Sequence, residues 1–401
     1  ALVGYLEESA NVPRETSRAQ FDPDSEMRYT PEEAERVNTA LDTLTVLDPA
    51  VGSGSFLIGM LNEIIRLRKT CYWVLNGEGE PPSATLADWK EAIIRDTLYG
   101  VDIKPEAIEI AQLRLWLALV VDQTLEQARP LPNLDYKLMA GNSLIETIDG
   151  EPVLGESARA MMGADVTPKQ PTLGLFETDK ERFKLDELRA KFFRATPEER
   201  RKLREDITAQ ERRIVSTSLS EKAEAQQQII NQIGKMSAQM GGNLKASDER
   251  KLKTAVEKLA RLTKLQDDMT KPDYALPFFL YRLHFSEVFE RGGFDVVVGN
   301  PPYVEFKNLD VEIKNQLGSY TTTKGKYDLY VPFIEQAGNL INSRGYISYI
   351  CPTRFMQRDY GTELRKFIFE QFCISEIVDF GDMQIFESAT NYTGIFSFSK
   401  S

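Results

Sequence analysis

Residues 44–68 read LTVLDPAVGSGSFLIGMLNEIIRLR. A short apolar run, Leu44 to Leu47, meets Asp48-Pro49, and two glycines follow two positions apart, Gly52 and Gly54. Beyond them Phe56, Met60, Ile64 and Leu67 recur at the spacing of one helix face. The stretch predicts a strand, a glycine-rich turn and a helix. The pattern repeats in DTLYGVDIKPEAIEIAQLRLWLALVVD (96–122), with a strand over Leu98 to Asp102 and a nearly all-apolar helix from Pro105. YKLMAGNSLIE (136–146) predicts a third short strand with its loop. Strands alternating with helices indicate a parallel sheet with helices on both faces.

Working outward, TPEEAERVNTAL (30–41) opens a helix, with Thr30 as N-cap, Pro31 in the first turn and Glu33 closing a capping box. From about 151 to 275 the chain becomes loop-like and then charged and Gln-rich. Ile229, Ile233, Met236 and Met240 keep a helical spacing, as do Leu252, Val256, Leu259 and Leu262. Gly241-Gly242-Asn243 between them ends a helix. This predicts a helical hairpin inserted into the sheet domain, either a structural arm or a clamp for DNA or a partner. The sheet resumes in FDVVVGNPPY (294–303), continues as helix, turn and strand over 327–356, and gains two more strands in ISEIVDFGDMQIFESATNYTGIFSFSK (374–400). The expected layout is an N-terminal helical segment (1–43), one half of a sheet domain (44–150), the insertion (151–275) and the second half (276–401).

Composition narrows the function. The 401 residues carry a formal net charge of -12, with 42% hydrophobic and 27% charged residues, as in an ordinary globular protein. Such a chain is no general binder of polyanions, so any DNA contact must be locally basic. The single histidine, His284, excludes His-rich metal sites and makes a Ser-His-Asp hydrolase a poor fit. It sits among apolar residues at helical spacing and reads as structural. Cys71, Cys351 and Cys373 form no CxxC pair, which suits free thiols in a reducing cytoplasm. No apolar run reaches the roughly 18 residues that span a bilayer, and the N-terminus lacks the pattern of a signal peptide. With no initiator Met, the chain is expected to begin inside a longer protein or to lack its first residues.

Three stretches carry chemistry. Gly52 and Gly54 let backbone N–H groups approach a ligand at the end of a strand, where Asp48 would accept from an ammonium. No Gly-Lys-Ser/Thr follows, so this is not a phosphate-binding Walker loop. Asp102, at the tip of the second strand, is placed to grip ribose hydroxyls. The third stretch is Asn300-Pro301-Pro302-Tyr303. An aromatic amine is a poor nucleophile because its lone pair is delocalised into the ring. Two acceptors aimed at its hydrogens, the Asn300 side-chain oxygen and the Pro301 carbonyl, draw the nitrogen towards a tetrahedral shape. The paired prolines fix the direction of those acceptors, and Tyr303 offers a face on which an extruded base stacks. In TTTKGKY (321–327), Lys324 and Lys326 suit contact with phosphate.

The order DPAVGSGSF, GVDIKPEA, GNSL, GNPPY, KYDLYVPF resembles the adenine-specific amino-methyltransferases of DNA. It is most similar to the gamma-order class that includes the methylase half of type IIG restriction-modification enzymes. The resemblance covers roughly residues 27 to 400 apart from the insertion. It implies a Rossmann-like class I α/β methyltransferase fold, with a seven-stranded, mostly parallel sheet whose last strand pair is antiparallel. It also implies transfer of a methyl group from S-adenosylmethionine to the exocyclic amine of adenine flipped out of double-stranded DNA, with no metal. Thr30, Asp48, Ala50, Gly52 and Gly54 would surround the methionine moiety, and Asp102 would hold the ribose. Ile103 and Phe333 would pack on the cofactor's adenine, Phe386 would face the flipped base opposite Tyr303, and Asn142 would accept from the adenine amino group. The departure is AGNSL, where many relatives place an Asp and an aromatic and this chain has Asn142 and Ser143. An RNA or protein amino-methyltransferase and a catalytically silent DNA-binding module are the rival readings. No PD…(D/E)xK or HNH signature is present, so a fused nuclease, like a target-recognition domain, would lie outside this chain.

Overall fold

The computed structural model describes residues 1–401 apart from 23, 78, 122–132, 149, 155–172, 240, 242, 272–273, 275, 382, 384–391 and 401. The described chain forms two compact units, Ala1–Ile145 with Glu287–Ser401, and Glu146–Ser286. The expected boundaries at 151 and 275 therefore fall inside the second unit.

In the first unit the strands are β1 (Val46–Asp48), β2 (Leu98–Asp102) and β3 (Leu138–Ala140). After β4 (Thr147–Ile148) and β5 (Glu151–Pro152), which belong to the second unit, come β6 (Phe294–Gly299), β7 (Ile341–Pro352), β8 (Phe372–Asp379) and β9 (Thr393–Lys400). Seven of them form one sheet in the order β3-β2-β1-β6-β7-β9-β8. β1 pairs parallel with both β2 and β6, and β6 pairs parallel with β7. β9 runs antiparallel to both β7 and β8. This is the class I methyltransferase topology. The chain order reverses beside β1, so the carboxyl ends of β1 and β6 open the crevice where such sheets bind ligands.

The helices before the second unit are α1 (Leu2–Ser9), α2 (Arg14–Ala19), α3 (Pro31–Thr43), α4 (Ser55–Asn76), α5 (Ser83–Ala92) and α6 (Pro105–Val120). Val37 and Leu41 of α3, Leu57, Leu61 and Ile64 of α4, and Ala111 and Leu115 of α6 share one core with Val46, Leu98 and Val296 of the sheet. Leu47 and Val297 are also buried and alternate to its other face. The apolar helix α6 is not swallowed whole. It buries Ile108, Ala111, Leu115 and Leu119 and leaves Ile110, Leu113 and Leu117 about half exposed. At the opposite end of the strands, Asp295 Oδ2 accepts from the Thr45 N–H and hydroxyl, both at 2.8 Å, and Oδ1 accepts from Asn342 Nδ2 at 2.8 Å. One carboxylate thus ties together the starts of three strands.

The second unit has three long helices where a hairpin was expected: α7 (Leu173–Arg194), α8 (Pro197–Gln239) and α9 (Ala246–Met269). The expected turn at 241–243 joins α8 to α9, and α7 precedes that pair. Helix α7 buries Leu185 and Phe192 together with a polar anchor, Arg189. Arg189 donates to Glu211 at 2.9 Å and to the Ser286 hydroxyl at 3.2 Å, and His284 Nδ1 lies 3.3 Å from Glu211. Burial opposes the charge on Glu211, yet His284 and Arg189 hold its carboxyl down to about 2. His284 stacks on Phe279 with ring centroids 4.6 Å apart. Among the described residues no helix is long and apolar enough to cross a membrane.

Candidate active site

Asp48 ends β1 and is buried, 1% exposed. Its Oδ1 accepts the Ala50 N–H at 3.0 Å. Burial lifts its carboxyl to about 7 against that bond, and Asp102 adds to the lift. A buried carboxylate held this high lacks a counter-ion, and a ligand ammonium would supply one.

The turn after Asp48 is fixed from several sides. Gly52 and Gly54 have φ of 51° and 82°, the left-handed region that glycine tolerates. At Gly54 a Cβ would also lie 3.1 Å from the Ala111 Cβ of α6, so the helix could not approach the turn. Asp102, half-buried at the end of β2, accepts the Gly52 N–H on Oδ2 and the Lys104 N–H on Oδ1, each at 2.9 Å. Each oxygen keeps a lone pair for a ribose hydroxyl. Arg114 Nη1 bonds the Ser53 carbonyl at 2.9 Å, the Ser53 hydroxyl at 3.0 Å and the Ser55 hydroxyl at 2.9 Å. The signal for Arg114 is its place as the one cation of α6.

The loop after β3 joins the same cradle. Ser143 is buried and donates to the Pro49 carbonyl at 2.5 Å, so its hydroxyl fastens the third loop to the first. Asn142 Oδ1 accepts the Leu144 N–H at 3.2 Å. The acceptor expected to face a cofactor amine is thus partly engaged within its own turn. Ile103 follows Asp102 and is 62% exposed, whereas Phe333 is buried on α10 (Tyr330–Leu340). Thr30 is an exposed N-cap whose capping box with Glu33 is formed (3.2 and 2.8 Å), and no bond links it to the other site residues. Phe386 lies outside the described residues.

Asn300 follows β6, next to Asp48 across the strand pair. Gly299 has φ of 156°, and a Cβ there would stand 2.7 Å from Asp48 Oδ1. The glycine before Asn300 is therefore required by the Asp48 carboxylate, a role legible only once the strands are paired. Asn300 Oδ1 is buried and, among the described residues, has no hydrogen-bond partner. Tyr303 is half-buried. Its hydroxyl donates to the Ile350 carbonyl of β7 at 3.1 Å, and its ring meets Tyr330 edge to face at 6.4 Å. Burial pushes the phenol up, so it stays protonated and donating. Within α10, Glu335 accepts from the Thr321 N–H and hydroxyl (3.0 and 3.1 Å) and from the Thr322 N–H at 2.8 Å. This buried carboxylate pins the loop that carries Lys324 and Lys326. Lys324 is not a free cation, since it pairs with Glu363 at 3.1 Å.

Residues 96–386 match the family model described as Eco57I restriction-modification methylase, and residues 25–139 match the DNA-methyltransferase domain of MmeI. The provisionally named type II restriction enzyme and methyltransferase RM.MjaORFECS2P of Methanocaldococcus jannaschii is 29% identical over 370 residues, covering 84% of this chain and 28% of that protein. The type II restriction enzyme and methyltransferase RM.Eco57I of Escherichia coli is 35% identical over 111 residues, 27% of this chain and 11% of that protein. The chain thus spans well under a third of either relative. Among solved structures, the type IIL restriction-modification enzyme MmeI in complex with DNA aligns with 91% of this chain and 33% of its own, at 12% identity and a TM-score of 0.43.

Proposed function

Because this chain belongs to the Eco57I restriction-modification methylase family, we propose that it methylates the exocyclic amine of adenine in DNA, using S-adenosylmethionine. The observation that carries this reading is the buried, partnerless Asn300 Oδ1 at the mouth of the sheet crevice. A buried acceptor without a donor costs about 1–3 kcal/mol, and the amine of a flipped base is the donor that would meet it.

The residues present fit the cofactor. Asp48 offers a buried carboxylate to its ammonium, Gly52 and Gly54 leave room beside its methionine moiety, and Asp102 keeps lone pairs for its ribose. Ile103, Phe333 and Asn142 would bound its adenine. When bound, the cofactor supplies a methyl group on a sulfonium, already electrophilic. The protein then needs neither a covalent intermediate nor an acid to activate a leaving group. Asn300 Oδ1 and the Pro301 carbonyl accept the two amine hydrogens of the target base, bring its nitrogen lone pair out of conjugation and stabilise the positive charge that develops there. Pro302 holds the direction of the turn, and Tyr303 presents its ring to the base. Positioning supplies the remaining acceleration.

The test is transfer of radiolabelled methyl from S-adenosylmethionine to unmethylated duplex DNA of mixed sequence, followed by nucleoside analysis. The expected product is N6-methyladenine. Label in cytosine, in RNA or in protein, with none in adenine, overturns the reading.

A further inference from the structure

Beyond Tyr303 the chain pairs with the segment that leads into α10. Leu329 N–H donates to the Val304 carbonyl at 2.8 Å, and Phe306 N–H to the Tyr327 carbonyl at 3.0 Å. A cavity of about 570 Å³ is bounded by these two segments and by the turn that follows β7. It is lined by four cations and three carboxylates, and their states differ. Glu305 is paired with Lys307 at 2.6 Å. Asp328 accepts the Tyr360 hydroxyl at 3.3 Å, and Asp379 accepts the Gly381 N–H at 3.0 Å. Lys326, Arg354 and Arg358 line the same cavity, are exposed, and make no direct ion pair or side-chain hydrogen bond among the described residues, although the Arg354 charge is close enough to favour the ionised forms of Glu305 and Asp328.

The turn that carries the two arginines is held in shape. Arg358 N–H bonds the Arg354 carbonyl at 3.0 Å, which sets the two side chains one turn apart. From α11 (Thr362–Gln371), Arg365 Nη1 bonds the carbonyls of Phe355 at 2.5 Å and Arg358 at 3.0 Å. Gly361 lets the chain pass so close that a Cβ there would stand 2.0 Å from the Phe355 carbonyl oxygen. Two guanidinium groups are thus presented from a fixed turn, a geometry that suits bidentate contact with phosphate oxygens.

We propose that Lys326, Arg354 and Arg358 form a phosphate clamp that seats the sugar–phosphate backbone of DNA next to the base held at Asn300–Tyr303. The proposal rests on the DNA-methylation reading above. A base and its flanking phosphates are one covalent unit, so a platform for an extruded base needs an anchor for the strand that carries it. In a chain of net charge -12, that anchor has to be a small set of cations not already held in direct ion pairs.

The experiment uses the whole chain and a short labelled duplex of random sequence, with binding followed by anisotropy against salt. Each phosphate contact contributes about 0.9 to the slope of log affinity on log salt. K326Q, R354Q and R358Q should each flatten the slope by about 0.9, and the triple variant by about 2.7. R354K should keep most of the slope. K366A removes a neighbouring cation on α11 that is paired with Glu370 and should leave the slope unchanged. Melting temperature and S-adenosylmethionine affinity should not move in any of these variants. An unchanged slope in the triple variant, or a wild-type chain with no salt-dependent DNA binding, overturns the clamp. A wild-type chain that binds DNA with the expected slope but yields no N6-methyladenine overturns the methylation reading and leaves the clamp standing.

Discussion

The cradle around Asp48, Asp102 and Ser143 and the turn at Asn300–Tyr303 stand side by side at the carboxyl ends of neighbouring strands, yet their polar groups are in opposite states. In the cradle the side-chain acceptors are already engaged by backbone N–H groups, Ala50 on Asp48, Gly52 and Lys104 on Asp102, and Leu144 on Asn142, while the Ser143 hydroxyl donates to the Pro49 carbonyl. In the turn, the Asn300 side-chain oxygen is buried and, among the described residues, unbonded. A site that binds a ligand of constant shape can be locked before the ligand arrives. A site that acts on a nitrogen whose charge is about to change must keep its acceptor in reserve, because only interactions gained in the transition state accelerate the step.

The contrast breaks most decisively at Asn300. Asn300→Ala should lower methyl transfer by about 10²–10³-fold, the effect of deleting one preorganised polar group, while S-adenosylmethionine affinity by calorimetry stays near wild type. Parallel loss of both would place Asn300 in the cradle instead. Asp102→Ala tests the other side. Losing a charge-assisted partner costs about 1.5–3 kcal/mol, so cofactor affinity should fall about 10- to 150-fold. If the melting temperature fell while affinity held, Asp102 would be a loop pin and nothing more.

Tyr303 sharpens the comparison, since it belongs to both states. Its hydroxyl is engaged at Ile350 and its ring is available. Tyr303→Ala should weaken retention of the flipped base by about 1–3 kcal/mol. Tyr303→Phe, which loses only the hydrogen bond, should cost about 0.5–1.5 kcal/mol. A fluorescent adenine analogue at the target position reports the difference, and equal damage from Phe and Ala would make the hydroxyl the working group.

Asp48 supplies the pH dependence. Its carboxyl is lifted in the folded chain from 3.8 to about 7. Between those values the native state binds the proton that the unfolded chain has released. Unfolding free energy should therefore fall by up to about 1.4 kcal/mol per pH unit across that window, and Asp48→Asn should remove that dependence. Cofactor affinity should rise as pH passes through 7, because the ammonium requires the ionised carboxylate. Denaturant melts and calorimetry at a series of pH values check both. Stability that rose from pH 4 to 7 by an Asp48-dependent amount would show that the carboxylate already has a hidden counter-ion.

The legible parts of this molecule are those where chemistry sits in consecutive residues. The glycine turn, the acid at the tip of β2, the Asn-Pro-Pro-Tyr turn and the capping box at Thr30 all announce themselves within a few positions, and the alternation of apolar strand and helix gives the sheet. What escaped depends on partners far along the chain. Ser143 reaches Pro49, Gly299 meets Asp48, and Lys324 finds Glu363 only after the sheet has assembled. Arg354 and Arg358 gain meaning only because, among the described residues, neither is tied up in a direct ion pair. Helix α7 lacks a strong apolar stripe and is fixed by the buried Arg189–Glu211 pair, which no periodicity reveals.

Helix α8 has a mechanical consequence. Its 43 residues make a rod about 65 Å long. The near half is embedded through Ile207, Ile214, Val215 and Leu219, while beyond it Ile233 is the one buried side chain among the described residues. With α9 packed back along it, and Gln266 donating to Ser220 at 2.9 Å, the outer half of the hairpin is a cantilever. One degree of tilt where it is clamped sweeps its tip through about 1 Å, so a change too small to see in the packing around Glu211 would be displayed, magnified, at the turn near Gly241.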